Sequence, residues 1–266
     1  MICVLGDAHL DVVVRVSWPL AEDTDTPAAT SLGVGGQGAN VAAWVTALGG
    51  RSRLIAARGT DPAAGLVADA LAQLGVEVVG PVKAGRTGIV VSLSDGGQRR
   101  SMLTDRGVGT ELAAGDLRSQ WLDGCGWLHV AGYCFAREPV RGAALAAAAA
   151  ARAGAVRLSV DLSSTAMIRG YGVEAFRELI ASLQPDVLFG TEAEAALVAG
   201  LLDERLVVKL GADGVQAGGR RYPAWPAEAV DSTGAGDAFA AGYLVGGIEL
   251  GLQAAARAVA KMGAMP

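Results

Sequence analysis

The chain has 266 residues, 52% of them hydrophobic, which is enough to bury a large core as a single α/β domain. Its net charge of −5 excludes the basic surface that a nucleic-acid-binding protein needs. No apolar run is long enough to span a bilayer and no signal peptide is predicted, so we expect a cytoplasmic protein that acts on small molecules and has no membrane partner.

The N-terminal segment is predicted to be a buried strand over residues 2–5, followed at once by Asp7. A second β-type run, residues 12–16, begins after Asp11. Asp11 is then either an ordinary strand-entry aspartate or a carboxylate placed at the rim of the sheet. His9, between the two aspartates, is interpreted as a polar loop residue rather than as a catalyst.

A glycine-rich motif, Gly-Val-Gly-Gly-Gln-Gly-Ala-Asn, occupies residues 33–40 and leads into a helix predicted over residues 41–48. Its glycines match the GxGxxG pattern of dinucleotide-binding proteins. That fingerprint should follow a strong hydrophobic strand, whereas residues 19–31 are polar, contain proline and indicate a loop or an edge strand. A dinucleotide-dependent oxidoreductase is therefore kept only as an alternative function.

Strands and helices alternate in the next part of the chain. Residues 51–57 are predicted to form a strand, residues 61–74 a helix capped by Asp61, and residues 76–79 another strand. Because such alternation is typical of βαβ units, it predicts a largely parallel sheet.

Two β-type runs, residues 87–94 and 99–104, are separated by Asp-Gly-Gly at residues 95–97, which is a strong hairpin signal. Together with residues 12–16 they predict a small sheet that stands apart from the main one. Arg106 follows the hairpin. It is a candidate for pairing with a substrate or a phosphate, although an exposed loop arginine fits the pattern equally well.

Further candidates follow strands in the second half of the chain. In open parallel sheets ligands bind at the carboxyl ends of the strands, so Tyr133, after the strand predicted over residues 127–130, is a candidate wall of the substrate site. Gly211 and Gly214 follow a strand predicted over residues 206–210, and a simple hairpin explains them equally well.

The most informative stretch is residues 230–247, in which a turn of small residues runs into an apolar segment that suits a buried helix. The backbone N–H groups at a helix N-terminus form an anion site, and Gly234 and Gly236 leave that backbone open to a phosphate. Asp237 then lies where its carboxylate accepts a proton from a hydroxyl directed at the phosphate. The alternative interpretation is a helix-capping aspartate after a plain glycine turn.

The longer string that contains Asp237, Asp-Ser-Thr-Gly-Ala-Gly-Asp-Ala-Phe-Ala-Ala-Gly, closely resembles the C-terminal signature of the ribokinase family, the PfkB carbohydrate kinases. Gly-Gly-Gln-Gly-Ala-Asn, which ends at Asn40, resembles the N-terminal signature of that family. The resemblance covers essentially the whole chain and implies one ribokinase-like domain over residues 1–266, a three-layer α/β fold with a mostly parallel central sheet. It also implies a small β-sheet lid formed by about residues 11–34 and 86–105.

The activity that the resemblance implies is transfer of the γ-phosphate of ATP to a hydroxyl of a sugar, with Asp237 as the general base. Mg²⁺ is implied as a cofactor, and K⁺ is a cofactor that part of the family uses. Thr191 stands where the family usually has asparagine, so one amide group is missing there. The resemblance implies phosphoryl stabilisation by Gly234, Ala235 and Gly236, substrate binding by Asp11, Gly35, Gly36, Asn40, Arg106 and Tyr133, nucleotide binding by Thr191, Lys209, Gly211, Gly214 and Thr233, and Mg²⁺ binding through water by Glu194.

Several alternatives to a sugar kinase stay open on the sequence. A nucleoside kinase of the same family needs aromatic walls, for which Trp18, Tyr133 and Phe135 are candidates. A dinucleotide-dependent oxidoreductase rests on the GxGxxG pattern. A non-catalytic sugar-binding descendant is motivated by Thr191. The exposed edge of the lid is a candidate surface for a homodimer, and the sequence does not identify the acceptor.

Overall fold

A computed structural model of the chain describes residues 1–17, 19–95 and 100–266. Within them the backbone forms thirteen β-strands and eight α-helices. The strands are β1 (Ile2–Leu5), β2 (His9–Val16), β3 (Ala28–Gly35), β4 (Ser52–Ile55), β5 (Glu77–Val79), β6 (Thr87–Ser94), β7 (Arg100–Gly107), β8 (Trp127–Ala131), β9 (Arg157–Asp161), β10 (Val187–Thr191), β11 (Leu206–Lys209), β12 (Val215–Ala217) and β13 (Arg220–Tyr222). The helices are α1 (Gln37–Ala47), α2 (Pro62–Gln73), α3 (Val140–Ala153), α4 (Thr165–Tyr171), α5 (Val173–Leu183), α6 (Glu192–Leu197), α7 (Ala235–Gly246) and α8 (Ile248–Val259).

The central sheet has nine strands in the order β13-β12-β11-β10-β9-β8-β1-β4-β5. The seven strands from β11 to β5 are all parallel, and β12 and β13 add an antiparallel edge. The parallel strands therefore present their carboxyl ends along one edge of the sheet, which is where open α/β sheets bind ligands. The predicted α/β fold with a mostly parallel central sheet is confirmed.

Helices cover both faces of this sheet and make three layers. On one face α1, α2, α7 and α8 pack around Trp44 and Phe239, which are 1% and 2% exposed. On the other face α3 to α6 pack around Phe135 and Phe176, which are fully buried. Because both faces are covered, β1 is a continuous apolar run rather than an alternating one. No helix in the described part of the chain is both long enough and apolar enough to cross a membrane.

A second sheet has four strands in the order β3-β2-β6-β7. In it β2 is parallel to β6, and the pairs β2–β3 and β6–β7 are antiparallel. Its strands are longer than predicted, because β2 begins at His9 and β3 extends through Gly35. His9 is therefore a strand residue, and its prediction as a loop residue was wrong. Two glycines of the predicted hairpin, Gly96 and Gly97, and the aromatic candidate Trp18 lie outside the described residues.

Two helix starts differ from their predictions. Asp61 is the N-cap of α2, but its side chain does not cap the helix; instead its carboxylate accepts a hydrogen bond from the Thr87 N–H at 3.0 Å. This contact ties α2 to the first residue of β6. Helix α1 begins at Gln37, four residues before the predicted start, because Gly36 (φ +104°) turns the chain directly out of β3.

Candidate active site

The end of β1 and the start of α1 are in direct backbone contact. A Cβ atom on Gly6 would lie 2.6 Å from the Cα of Gly38, and one on Gly36 would lie 2.5 Å from the carbonyl oxygen of Asp7. Only glycine permits this approach, and at Gly36 the positive φ adds a second reason. The contact places Asn40, on the first turn of α1, beside the carboxyl end of β1.

Asn40 meets Asp237, which lies 197 residues away in the sequence. The Nδ2 of Asn40 donates a hydrogen bond to the Oδ2 of Asp237 at 2.7 Å. Asn40 is 7% exposed, and its Oδ1 has no hydrogen-bond partner in the described structure. The fold thus joins the two glycine-rich motifs that lie near opposite ends of the sequence.

The surroundings of Asp237 make its carboxyl a weaker acid than that of an exposed aspartate. Burial raises the pKa of its carboxyl from 3.8 to about 7. The hydrogen bond from Asn40 opposes this rise, Asp161 and Asp7 reinforce it by charge repulsion, and the charge of Lys209 opposes it. A carboxyl group that titrates near neutral pH is suited to general-base catalysis.

The glycine turn before Asp237 forms the start of α7. Gly234 is the N-cap, with φ +75°, and a Cβ atom there would lie 2.6 Å from the Cα of Ala264. Helix geometry leaves the N–H groups of the first turn, including those of Gly236 and Asp237, without intrahelical acceptors. A Cβ atom on Gly236 would lie 3.2 Å from the Nζ of Lys209. Free backbone donors and an ammonium group therefore meet at one point, which is chemically suited to binding a phosphate.

Lys209, the last residue of β11, forms a buried ion pair. Its Nζ donates to the Oδ2 of Asp161, the last residue of β9, at 2.7 Å. Burial lowers the pKa of Lys209, but the charge and hydrogen bond of Asp161 together with the charges of Asp237 and Glu194 outweigh it, so the pKa is raised. The other carboxylate oxygen of Asp161 accepts from the Ser163 N–H at 2.9 Å. Lys209 is therefore a fixed positive charge next to the start of α7.

Carboxylates and an imidazole lie together where β2 meets β3. A Cβ atom on Gly35 would lie 2.2 to 2.5 Å from the carboxylate atoms of Asp11, so the side chain of Asp11 packs directly on that glycine. The Nε2 of His9 lies 3.0 Å from the Oδ1 of Asp11, and its Nδ1 lies 3.7 Å from the Oδ2 of Asp7. His9 thus stands between two carboxylates.

Arg106, near the end of β7, links the second sheet to the main one. Its guanidinium forms an ion pair with Asp7 and lies over the ring of Tyr133, 4.1 Å from the ring centre. Arg106 is therefore not a free loop arginine. Tyr133 lies in the turn after β8, as predicted, but Arg106 covers one face of its ring. Phe135 is fully buried, so its prediction as a wall of a nucleoside site was wrong.

Thr191 and Glu194 form a reciprocal capping box at the start of α6. The Thr191 hydroxyl accepts from the Glu194 N–H at 3.4 Å, and the Oε2 of Glu194 accepts from the Thr191 N–H at 2.8 Å. One carboxylate oxygen of Glu194 is left for other partners. In the described ranges no group of three or more His, Cys, Asp or Glu side chains is arranged to hold a metal. These residues fit a magnesium ion that keeps its waters rather than one caged by protein ligands.

The remaining candidates for nucleotide binding lie in two turns. Gly211 and Gly214 follow β11 with φ values of +61° and +92°, and a Cβ atom on Gly214 would lie 2.1 Å from the carbonyl oxygen of Tyr222. The Thr233 hydroxyl donates to the Oδ1 of Asp231 at 2.5 Å. These contacts give each residue a structural role in shaping its turn.

Sequence reasoning missed the functional placement of Asp7, Asp161 and His9. Asp7 and Asp161 each lie at the carboxyl end of a buried parallel strand, which is the signal that could have identified them. His9 and Asp11 are two residues apart in β2 and therefore lie on the same face of the strand, which the prediction of a loop at His9 missed.

A cavity of about 550 Å³ lies at the opposite edge of the sheet, among Trp127, Arg157, Val187 and Tyr243, where β8, β9 and β10 begin. Its lining includes none of the residues described above. The candidate active site is therefore identified by its chemistry and not by the volume of a cavity.

Comparison with known proteins agrees with this arrangement. Residues 1–265 match the pfkB family of carbohydrate kinases. The chain belongs to the PfkB family. It is 30% identical to the ATP-dependent ribose-1-phosphate kinase of Halopiger xanaduensis over 92% of this chain and 84% of that protein. It is 31% identical to a fructokinase of Klebsiella pneumoniae over 92% of this chain and 83% of that protein.

The fold of this PfkB-family chain also matches solved structures. The adenosine kinase of Sinorhizobium meliloti superposes with a TM-score of 0.82 at 24% identity, covering 100% of this chain and 95% of that one. The resemblance drawn from the two sequence signatures is confirmed, and the chain is a carbohydrate kinase. The family excludes the dinucleotide-dependent oxidoreductase, and Gly33 and Gly35 lie in β3 of the second sheet rather than after a strand of the parallel sheet.

Proposed function

We propose that the chain transfers the γ-phosphoryl group of ATP to a hydroxyl of a sugar or sugar derivative, with Asp237 as the general base. The observation that carries the proposal is the position of Asp237, whose pKa is about 7, on the first turn of α7 beside Lys209. ATP as the donor is supported by the name of the Halopiger xanaduensis relative, an ATP-dependent kinase.

In the proposed mechanism Asp237 accepts the proton of the attacking hydroxyl. Since its pKa is about 7, a large fraction is ionised at neutral pH and yet basic enough to take a proton. Asn40 holds one carboxylate oxygen through its Nδ2 and so leaves the other oxygen for the acceptor. A positioned base of this kind contributes about 10² to 10⁴-fold to the rate.

The N–H groups of the Gly234–Gly236 turn and the ammonium of Lys209 are proposed to stabilise the charge of the transferring phosphoryl group. Asp161 fixes the position of Lys209 by accepting a hydrogen bond from its Nζ at 2.7 Å. A magnesium ion bound through water to the free oxygen of Glu194 would neutralise phosphate charge. The use of K⁺ stays a prediction, as does nucleotide binding by Thr191, Gly211, Gly214 and Thr233.

Asp11 and Asn40 are proposed to bind hydroxyls of the acceptor, with the backbone at Gly35 and Gly36 close beside it. The surroundings favour a sugar over a nucleoside, because Phe135 is buried and Arg106 covers one face of Tyr133. A nucleoside kinase therefore ranks second.

The second sheet is proposed to act as a lid over the acceptor, within one domain that spans the chain. Its last strand carries Arg106, which pairs with Asp7 just after β1 of the main sheet, so closing the lid completes the site and excludes water. We also propose that the lid joins two copies of the chain, since Leu32 and Leu103 on its two edge strands are 63% and 56% exposed. A monomeric mass by sedimentation would contradict that assembly. A cytoplasmic enzyme is proposed because ATP is its donor.

The test is ADP release with Mg-ATP across pentoses, hexoses, their phosphates and nucleosides. We expect turnover with at least one acceptor and a loss of about 10³-fold in kcat in Asp237→Asn, with acceptor KM little changed. Asp69→Asn, the same change on the exposed face of α2, should keep full activity. Full activity in Asp237→Asn would disprove the role of the base.

A further inference from the structure

We call the surroundings of Asp7, Asp11 and Asn40 the acceptor end of the site. The cationic side chains near it are already paired. Arg106 is bound to Asp7, and Lys209 is bound to Asp161 at 2.7 Å. The imidazole of His9 has the Asp11 carboxylate beside it, with 3.0 Å between its Nε2 and the Oδ1 of Asp11. The charges of Arg106 and Lys209 are therefore both neutralised by carboxylates within the described structure.

The unpaired groups at the same end are hydrogen-bond acceptors. The Oδ1 atoms of Asp7 and Asn40 are buried and have no hydrogen-bond partner in the described part of the chain. Each is a carboxylate or amide oxygen that needs an O–H or N–H donor. The hydroxyls of a sugar supply such donors, whereas a phosphate or carboxylate group supplies only further acceptors at neutral pH.

The net charge of the acceptor end also disfavours an anionic ligand. Among the described residues at this end, Arg106 neutralises Asp7 and Lys209 neutralises Asp161, which leaves the Asp11 carboxylate and the partly ionised Asp237 in excess, so the acceptor end is negative overall and repels an anion. This repulsion adds to the cost of the missing hydrogen bonds. A ligand that leaves a buried acceptor atom without a donor binds much more weakly.

We propose that the acceptor is an uncharged polyhydroxyl compound and that the site discriminates against its phosphorylated or carboxylated forms. This inference rests on the proposed kinase function and specifies its substrate class. It separates the chain from the ribose-1-phosphate kinase of Halopiger xanaduensis, to which it is 30% identical and whose name gives a phosphorylated acceptor.

The test compares matched pairs: ribose with ribose 1-phosphate and ribose 5-phosphate, fructose with fructose 1-phosphate and fructose 6-phosphate, and adenosine with AMP. In ADP-release assays we expect kcat/KM to be about 100-fold or more higher for the best uncharged acceptor than for its phosphorylated partner. Equal values, or a preference for the phosphorylated member, would overturn the inference.

Calorimetric binding of the same pairs to Asp237→Asn without ATP separates this inference from the kinase proposal. If an uncharged member binds and its phosphate binds more weakly, the inference is supported, even when the wild type shows no turnover. Absence of turnover in the wild type would then count against the kinase proposal alone. Equal binding of the two members, or no binding of any uncharged member, overturns it.

A charge variant tests the physical cause. Asp7→Asn removes the partner of Arg106 and frees its guanidinium, so the preference for the uncharged member should fall by about 10-fold. Glu77→Gln removes one charge at the start of β5, on the opposite edge of the sheet, and should leave the preference unchanged. An undiminished preference in Asp7→Asn that keeps its thermal stability would show that paired charges do not set the selectivity.

Discussion

Asn40 donates a hydrogen bond to Asp237 at 2.7 Å, from the first turn of α1 to the first turn of α7. This contact favours the ionised carboxylate and so limits the rise in pKa that burial causes. Without it the pKa of Asp237 would be higher still, and the carboxyl would be protonated over a wider pH range. The hydrogen bond therefore sets the pH range in which Asp237 can accept a proton.

The first prediction is a pH profile that this hydrogen bond controls. Burial raises the pKa of Asp237 to about 7, so below that pH the carboxyl is protonated and cannot act as a base. We expect kcat/KM to rise with pH and level off above about 7. Asn40→Ala removes a donor to the ionised form and should move the rising limb to higher pH, by on the order of one unit.

The measurement is kcat/KM for ADP release at a series of pH values below and above neutrality, in the wild type and in Asn40→Ala. Thr46→Ala is the matched control on the same helix, because its hydroxyl donates to the Ala43 carbonyl one turn earlier in that helix. A limb at the same pH in wild type and Asn40→Ala would contradict the assignment of the limb to Asp237.

The second prediction concerns Gly35. A methyl group there would lie within 2.2 to 2.5 Å of the Asp11 carboxylate, so Gly35→Ala must push that side chain away. We expect the acceptor KM to rise by about 10 to 100-fold, because the site loses a hydrogen bond that orients the acceptor. The KM for ATP should change little.

Gly33→Ala provides the control for that substitution. Gly33 lies two residues away in β3, and a Cβ atom there would meet nothing within 4 Å. Both changes add the same methyl group to the same strand, so only the contact with Asp11 differs. Equal acceptor KM values in the two variants would show that Asp11 does not bind the acceptor.

The sequence predicted the parallel sheet because local patterns determine it. Residues 2–5 form a continuous apolar strand, and the alternation that follows gives βαβ units, which the structure contains as β4, α2 and β5. The two glycine motifs could also be recognised, because close backbone contacts demand glycine at Gly36 and Gly234 whatever the rest of the chain does.

The paired charges could not be predicted in the same way. Lys209 and Asp161 are separated by 48 residues, and only the register of β9, β10 and β11 brings their side chains together. Thr191 is an intermediate case. Thr-Glu-Ala-Glu at residues 191–194 is a capping-box sequence, so the capping role of Thr191 at the start of α6 could be predicted from the sequence. The effect of Thr191 on nucleotide binding could not.

The third prediction concerns the three cysteines, which are all free. A hydrogen bond from Cys3 lowers the pKa of Cys125 to about 7, with a further contribution from the charge of Arg53, although partial burial opposes it. Burial raises the pKa of Cys134. We expect iodoacetamide at pH 7.5 to modify Cys125 first, since its thiolate is both accessible and populated. Mass spectrometry of tryptic peptides measures this, and earlier labelling of Cys134 than of Cys125 would contradict it.

The fourth prediction separates the structural and catalytic roles of Lys209. Asp161 is 1% exposed, so Lys209→Met leaves a buried carboxylate without its partner and should lower the free energy of unfolding by about 3 to 5 kcal/mol. Lys83→Met breaks the pair between Lys83 and Asp116, which are 27% and 23% exposed, and should cost at most about 1 kcal/mol. Urea denaturation gives both values.

The double variant Lys209→Met with Asp161→Asn decides what the ammonium contributes to the reaction. It removes both charges and keeps an oxygen that accepts from the Ser163 N–H, so much of the lost stability should return. Its kcat should nevertheless stay about 10² to 10³-fold below wild type, because the ammonium group beside the start of α7 has been removed. If kcat recovers together with stability, Lys209 serves only to hold the fold, and the backbone N–H groups at the start of α7 stabilise the phosphoryl group without it.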